Sequence, residues 1–139
     1  MAGPSIETAI RSAIEARVAT LPVTYPIVWG DGPAYTEDAN VPYVRVTWIP
    51  NTTRRVTIGS GGPHQRLGIL QIDVMGKKSW TGKMVTQIGG QIAAHFPADL
   101  RMRSDGVTCR VTADPHVAGV VAGTVFNQVP VTVPIECFA

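Results

Sequence analysis

The sequence predicts an α+β fold, a two-layer sandwich. Two amphipathic helices lie on one face of a mostly antiparallel sheet of about five to six strands. Three observations predict it. Stretches 5–21 and 79–96 repeat apolar residues at helical spacing along one side only. The stretches between and after them alternate apolar and polar residues with a period of two. Gly-rich and Asp-Gly turn signals separate consecutive strands. The expected order is helix, three strands, helix, three strands, in a single domain over residues 1–139.

The first helix is expected from Ser5 to about Leu21. Ser5 is a suitable N-cap and Pro22 a stop. Ile6, Ala9, Ile10, Ala13, Ile14, Val18 and Leu21 form its apolar stripe. Glu7–Arg11 and Arg11–Glu15 sit four apart on the polar side, where opposite charges support a helix. Pro26–Trp29 reads as a short strand, and the polar stretch to Pro42 as a loop.

From Tyr43 to Ile49, Val44, Val46 and Trp48 alternate with Tyr43, Arg45 and Thr47, the pattern of a half-buried strand. Pro50-Asn51 is expected to interrupt it, with Thr53–Ile58 continuing extended and Val56 and Ile58 in phase. Gly59-Ser60-Gly61-Gly62-Pro63 is a turn. Arg66–Met75 is the next strand, with Leu70, Ile72 and Val74 toward the core. Ile69, Gln71 and Asp73 occupy a second face, itself partly covered.

Ser79–Phe96 is the second helix, with Met84, Val85, Ile88, Ile92 and Phe96 as its buried stripe and Pro97 ending it. Gly89-Gly90 in mid-helix costs roughly 1 kcal/mol each relative to alanine, which close approach of helix to sheet would offset. A hairpin follows, 100–103 and 107–112 around Ser104-Asp105-Gly106, then a small-residue loop at 116–123. The last strand is expected over 124–138, with Val125, Val129, Val131, Val133, Ile135 and Cys137 on one face. Pro130 and Pro134 lack N–H groups on one side of it, so that side is expected to be a sheet edge near them.

Composition excludes several functions. Of 139 residues, 45% are hydrophobic and 16% charged, which argues against a disordered chain and suggests surface shielded by a partner. The net charge of +2 is too small, and the pairs Arg54–Arg55, Lys77–Lys78 and Arg101–Arg103 too scattered, for a basic nucleic-acid stripe. The first helix carries charges where a signal peptide needs an apolar core, and no apolar run is long enough to span a membrane, so a soluble, unexported chain is expected. Cys109 and Cys137 lie on the apolar phase of strands, where free cysteine behaves as a small hydrophobe and a reducing compartment is expected.

No catalytic constellation emerges. Gly59–Gly62 joins two strands, whereas a phosphate loop runs from strand into helix. His64, His95 and His116 lack metal-ligand spacing, and His95 is expected to meet the C-terminal helix dipole. No nucleophile motif such as G-x-S-x-G occurs, and the aspartates fall mostly in turns. Trp48 is assigned to the core. Trp80, beside Lys77 and Lys78, is either a partner anchor or helix-entry packing.

Three stretches carry a family likeness: RRVTIG (54–59) with RLGILQIDV (66–74); the second helix with Gly82, Ile88 and IAAHF (92–96); and the turn at Gly106 with VPVTVPI (129–135). With these the chain resembles the tail terminator-like proteins of tailed bacteriophages, over nearly its whole length. The helix departs in TQIGGQIAAHF, where a more alanine- and leucine-rich stripe is usual.

The resemblance implies a structural protein with no enzyme activity, no cofactor and no metal. It implies a ring, a hexamer, at the head-proximal end of the tail tube, where it stops polymerisation and joins tail to head. The implied partners are further copies of the chain, the tail tube protein and the head–tail connector, with neither membrane nor specific nucleic-acid contact. The implied location is the virion tail, after synthesis in the host cytoplasm. Arg54, Arg55, His64, Gln65 and Arg66 around the loop, with Trp80, are the expected interface residues. The alternative reading is a small nucleic-acid or ligand-binding module using loop 59–66 and its arginines. The ring offers Arg54, Arg55 and Arg66 a lumen or a neighbour to face.

Overall fold

A computed structural model describes residue 3 and residues 5–55 and 64–138; for Thr52, Arg54 and Arg55 it describes only the backbone. The expected Val56, Ile58 and Gly59–Pro63 segment lies outside the described residues. The chain forms α1 (Ile6–Val18), β1 (Ile27–Trp29), β2 (Tyr43–Arg55), β3 (His64–Lys77), α2 (Gly82–His95), β4 (Arg101–Ser104), β5 (Val107–Val111), β6 (His116–Val117), β7 (Val121–Ala122) and β8 (Phe126–Phe138). The main sheet order is β1-β2-β3-β8-β5-β4, and the two-residue strands β6 and β7 also pair with β8. β1–β2 is parallel; the other pairings are antiparallel.

Local chemistry sets the helices. Ser5 Oγ accepts the Thr8 N–H and opens α1, with Glu7 in the first turn and Arg17 in the last, matching the helix dipole. Ala9, Ile10, Ala13, Ile14 and Val18 are buried. Ile6, ahead of the first full turn, is exposed instead. Thr81 caps α2 by accepting the Met84 N–H. The second helix therefore starts at Gly82, later than Ser79.

One face of the sheet carries the core. Val44, Val46, Leu70, Ile72, Val129, Val131, Val133 and Ile135 are all at most 1% exposed. α1 packs over β4 and β5, α2 over β8, β3 and β6, and the buried side chains form one cluster with both helices. A Cβ on Gly89 would stand 2.9 Å from Val129 Cγ1, so this glycine lets α2 approach the sheet. Its neighbour Gly90 faces open space. The contact line through Val85, Gly89, Ile92 and Phe96 turns Met84 outward by about 100°, and Met84 is exposed rather than part of the stripe.

Three strand expectations are corrected. β2 runs through Pro50-Asn51, absorbing the irregularity as a register shift between Pro50 and Thr53. The small-residue loop supplies β6 and β7, whereas Val125 lies outside β8 and is exposed. β8 is not an edge but an interior strand: it pairs with β3 along Gln65–Lys77 and with β5, β6 and β7 on its other side. Pro130 and Pro134 send their carbonyls to that second side, accepting Ala118 N–H and Thr112 N–H. In an antiparallel ladder the N–H and C=O of a residue point the same way, so the missing donors also fall there. That side is consequently paired in three short pieces.

Candidate assembly surfaces

The expected interface residues fall into two groups at opposite ends of β3, roughly 40 Å apart along an extended strand. His64, Gln65 and Arg66 open β3, whereas Trp80 follows its far end at Lys77. Arg54 and Arg55 pair through their backbones with Gln65 and His64, which places them at the first end; their side chains lie outside the described residues.

At the first end the polar groups are tied to one another. Gln65 Nε2 donates to Glu136 at 2.9 Å, and Arg110 donates to the same carboxylate at 2.6 and 3.0 Å. Arg110 also reaches Asp99. Burial pushes the Glu136 carboxyl up, but the Arg110 and Gln65 hydrogen bonds outweigh it and hold the group below its ordinary value. Arg66 Nη1 donates to Glu7 at 3.1 Å, while its buried Nε has no partner among the described residues. Arg66 lines a cleft of about 430 Å³ between α1 and the β2–β3 pair, with Ile10, Trp48, Pro50 and Leu67. A Cβ on Gly68 would overlap the Trp48 indole, so the ring rests on bare backbone.

A second cleft of about 530 Å³ lies beside β1 and is lined by Trp29, Tyr35, Glu37, Arg45 and Trp48. Arg11 at its margin donates to Asp31 at 2.7 and 2.8 Å and lies 4.1 Å above the Trp29 ring. That bidentate pair holds the Asp31 carboxyl below its ordinary value. Tyr43 donates its O–H to Glu37 at 2.7 Å. Burial, reinforced by Glu37, pushes its phenol up to about 12, which keeps it a neutral donor.

At the far end Trp80 is half-buried against the core, 5.8 Å from the Tyr25 ring. Helix-entry packing therefore describes its indole, though its outer edge shares a shallow groove with Met84, Ile88 and Gln87. Val41, Val120, Val121 and Val125 are 37–53% exposed. Val120 packs on Gly82 at the start of α2, and Val125 lies beside Lys77 and Lys78. Sequence reading did not single out these valines; for Val120 and Val121 the signal was the unbroken apolar and small run Ala118–Ala122.

His95 does not serve as the cation of α2. Arg17 donates to the His95 carbonyl at 2.7 and 3.1 Å and takes that role. Burial first, then the Arg17 charge, pushes the imidazole below its ordinary value, and Nε2 lies 2.7 Å from Thr20 Oγ1. Among the described residues no three His, Cys, Asp or Glu side chains gather as a metal site, and no helix is long and apolar enough to cross a membrane.

An α+β sheet with two helices on one face, whose clefts are lined by paired charges and whose exposed valines gather at one end, has the character of an assembly subunit. The model for phage tail terminator proteins matches residues 9–135, and the chain belongs to that family, a family of virion tail components that are structural. One solved structure, 25% identical, aligns over 97% of this chain and 96% of its own with a TM-score of 0.77. No curated protein matches.

Proposed function

We propose that the chain caps the phage tail tube at its head-proximal end as a hexameric ring, stops tube polymerisation there and joins the tail to the head. The observation that carries this reading is the match to tail terminators over residues 9–135. A ring is built from a heterologous contact that closes on rotation. A subunit with distinct surfaces at its two ends suits a position between two different neighbours. In this reading the whole chain is one domain. Arg54, Arg55, His64, Gln65 and Arg66 meet one neighbour, whereas the exposed edge of Trp80 and the valine patch meet another. Exposed apolar patches with a polar rim mark such contacts, and Lys77 and Lys78 supply part of the rim.

Complementation tests the reading. Tails assembled without this protein should be of irregular length and fail to join heads, and added wild-type chain should restore both. Val121→Asp, at an exposed position that leaves the core untouched, should fold normally and lose most of the restoring activity. Full restoration by Val121→Asp would remove the patch from the interface; tails of normal length and normal head attachment without any added protein would remove the function.

A further inference from the structure

Cys109 and Cys137 stand directly opposite one another on β5 and β8. The pairing type follows from one hydrogen bond. Thr112 N–H donates to the Pro134 carbonyl, which makes 112 and 134 a hydrogen-bonded pair. Antiparallel ladders alternate, so 111/135 is non-hydrogen-bonded, 110/136 hydrogen-bonded and 109/137 non-hydrogen-bonded. At such a pair the Cα atoms lie about 4.5 Å apart and the side chains leave the same face. Disulfides span Cα separations of roughly 4.4–6.8 Å. Both cysteines are free and fully buried.

We propose that this pair is a redox-closable staple, forming an intrachain cross-strand disulfide between Cys109 Sγ and Cys137 Sγ that ties β5 to β8. The oxidant is a small disulfide such as oxidised glutathione. One cysteine thiolate attacks it, forming a mixed disulfide and releasing one glutathione thiolate. The second cysteine then displaces the other glutathione. The Sγ–Sγ bond forms, the glutathione S–S bond breaks, and the two cysteine protons pass to the two leaving thiolates.

Location gives the staple its effect. β5 meets β8 through four residue pairs, whereas β3 meets β8 along the whole strand. β4 hangs on β5 alone, and α1 packs on both. The hairpin β4–β5 is thus held to the rest of the sheet by a short ladder, and its opening is the route by which an oxidant reaches the thiols. The two thiols share a hydrogen bond in the closed sheet, so whichever is exposed first by that opening can attack and the other resolves the mixed disulfide. In reducing surroundings the pair stays open; in oxidising surroundings it closes.

The test uses the full chain, held reduced or incubated with oxidised glutathione, followed by intact mass, alkylation of free thiols and peptide mapping. The expected result is loss of two hydrogen masses, a mapped 109–137 link, and a melting midpoint raised by roughly 5–10 °C that reverts on reduction. Cys137→Ala and Cys109→Ala should each abolish the mass loss and the rise. Thiols that stay free, even on incubation a few degrees below the melting midpoint, would overturn the proposal. So would stable glutathione adducts without closure, intermolecular links alone, or an oxidised form that melts lower than the reduced one.

Discussion

The two sides of β8 are built differently. On one, β3 runs beside it without a break from Gln65↔Phe138 to Lys77↔Phe126. On the other, β5, β6 and β7 each pair over a few residues, at 135–138, 131–132 and 127–128. The same strand, with its apolar residues facing the same core, supports a continuous ladder in one direction and fragments in the other. Two prolines make the difference by removing donors from one side only. The lesson is that a strand's position in a sheet and the completeness of its pairing are separate properties.

The largest test of that contrast is truncation in the continuous ladder. Ile72→Ala, at a fully buried position on β3, should cost about 2–5 kcal/mol in chemical denaturation. Val117→Ala, on half-buried β6 across the fragmented side, should cost about 1 kcal/mol. Equal losses would mean that the fragments carry as much stability as the ladder.

The helix above β8 gives a second contrast. Gly89→Ala places a methyl against Val129 and should cost about 1–3 kcal/mol. Gly90→Ala faces open space and should stabilise by about 0.5–1 kcal/mol through helix propensity. A stabilising Gly89→Ala would show that helix and sheet are less closely packed than described.

Acid should act through two groups, one joining the two sides of β8 and one on the helix above it. Glu136, which joins Arg110 on the fragmented side to Gln65 on the continuous one, has a folded value below its ordinary 4.5. Its contribution is present above 4.5 and fades as pH falls through the lower folded value. His95 is likewise depressed from 6.5, so its burial destabilises as pH drops below 6.5 toward the folded value. Melting midpoints measured from pH 8 to pH 3 should therefore fall in two stages. His95→Gln should remove the upper stage and Glu136→Gln the lower; a variant with an unchanged profile would acquit its residue.

The smallest effect is expected at the prolines. Pro130→Ala restores a donor toward β6 without changing the core face, and stability should move by less than about 1 kcal/mol. Hydrogen exchange should then show a slowed Ala118 amide, whose bond to the residue 130 carbonyl is braced by the new one. Unchanged protection would mean that loop conformation, not the missing donor, limits pairing.

Much of the fold was legible because it is written locally. The Ser5 cap, the α1 stripe from Ala9 to Val18, and the alternation of Leu70, Ile72 and Val74 each follow from periodicities of the backbone. Met84 escaped because Gly89 carries no side chain and drops out of any apolar count, although it marks the line of contact. The candidate interface was legible only in part. Gln65 and Arg66 were found as polar residues beside a loop, but their engagement by Glu136 and Glu7 depends on residues 71 and 59 positions away.

By itself, then, the sequence determined the kind of main elements, the Ser5 cap of α1 and most of the apolar faces, since propensity and periodicity act over a few residues. Only the tertiary structure decided that β8 lies inside the sheet, that Cys109 meets Cys137, that Arg17 rather than His95 serves the end of α2, and that Val120 and Val125, exposed in separate segments, lie near the start of α2 and the end of β3. Each of these needs partners brought together across long stretches of chain, and that pairing is selected by burying the whole core at once.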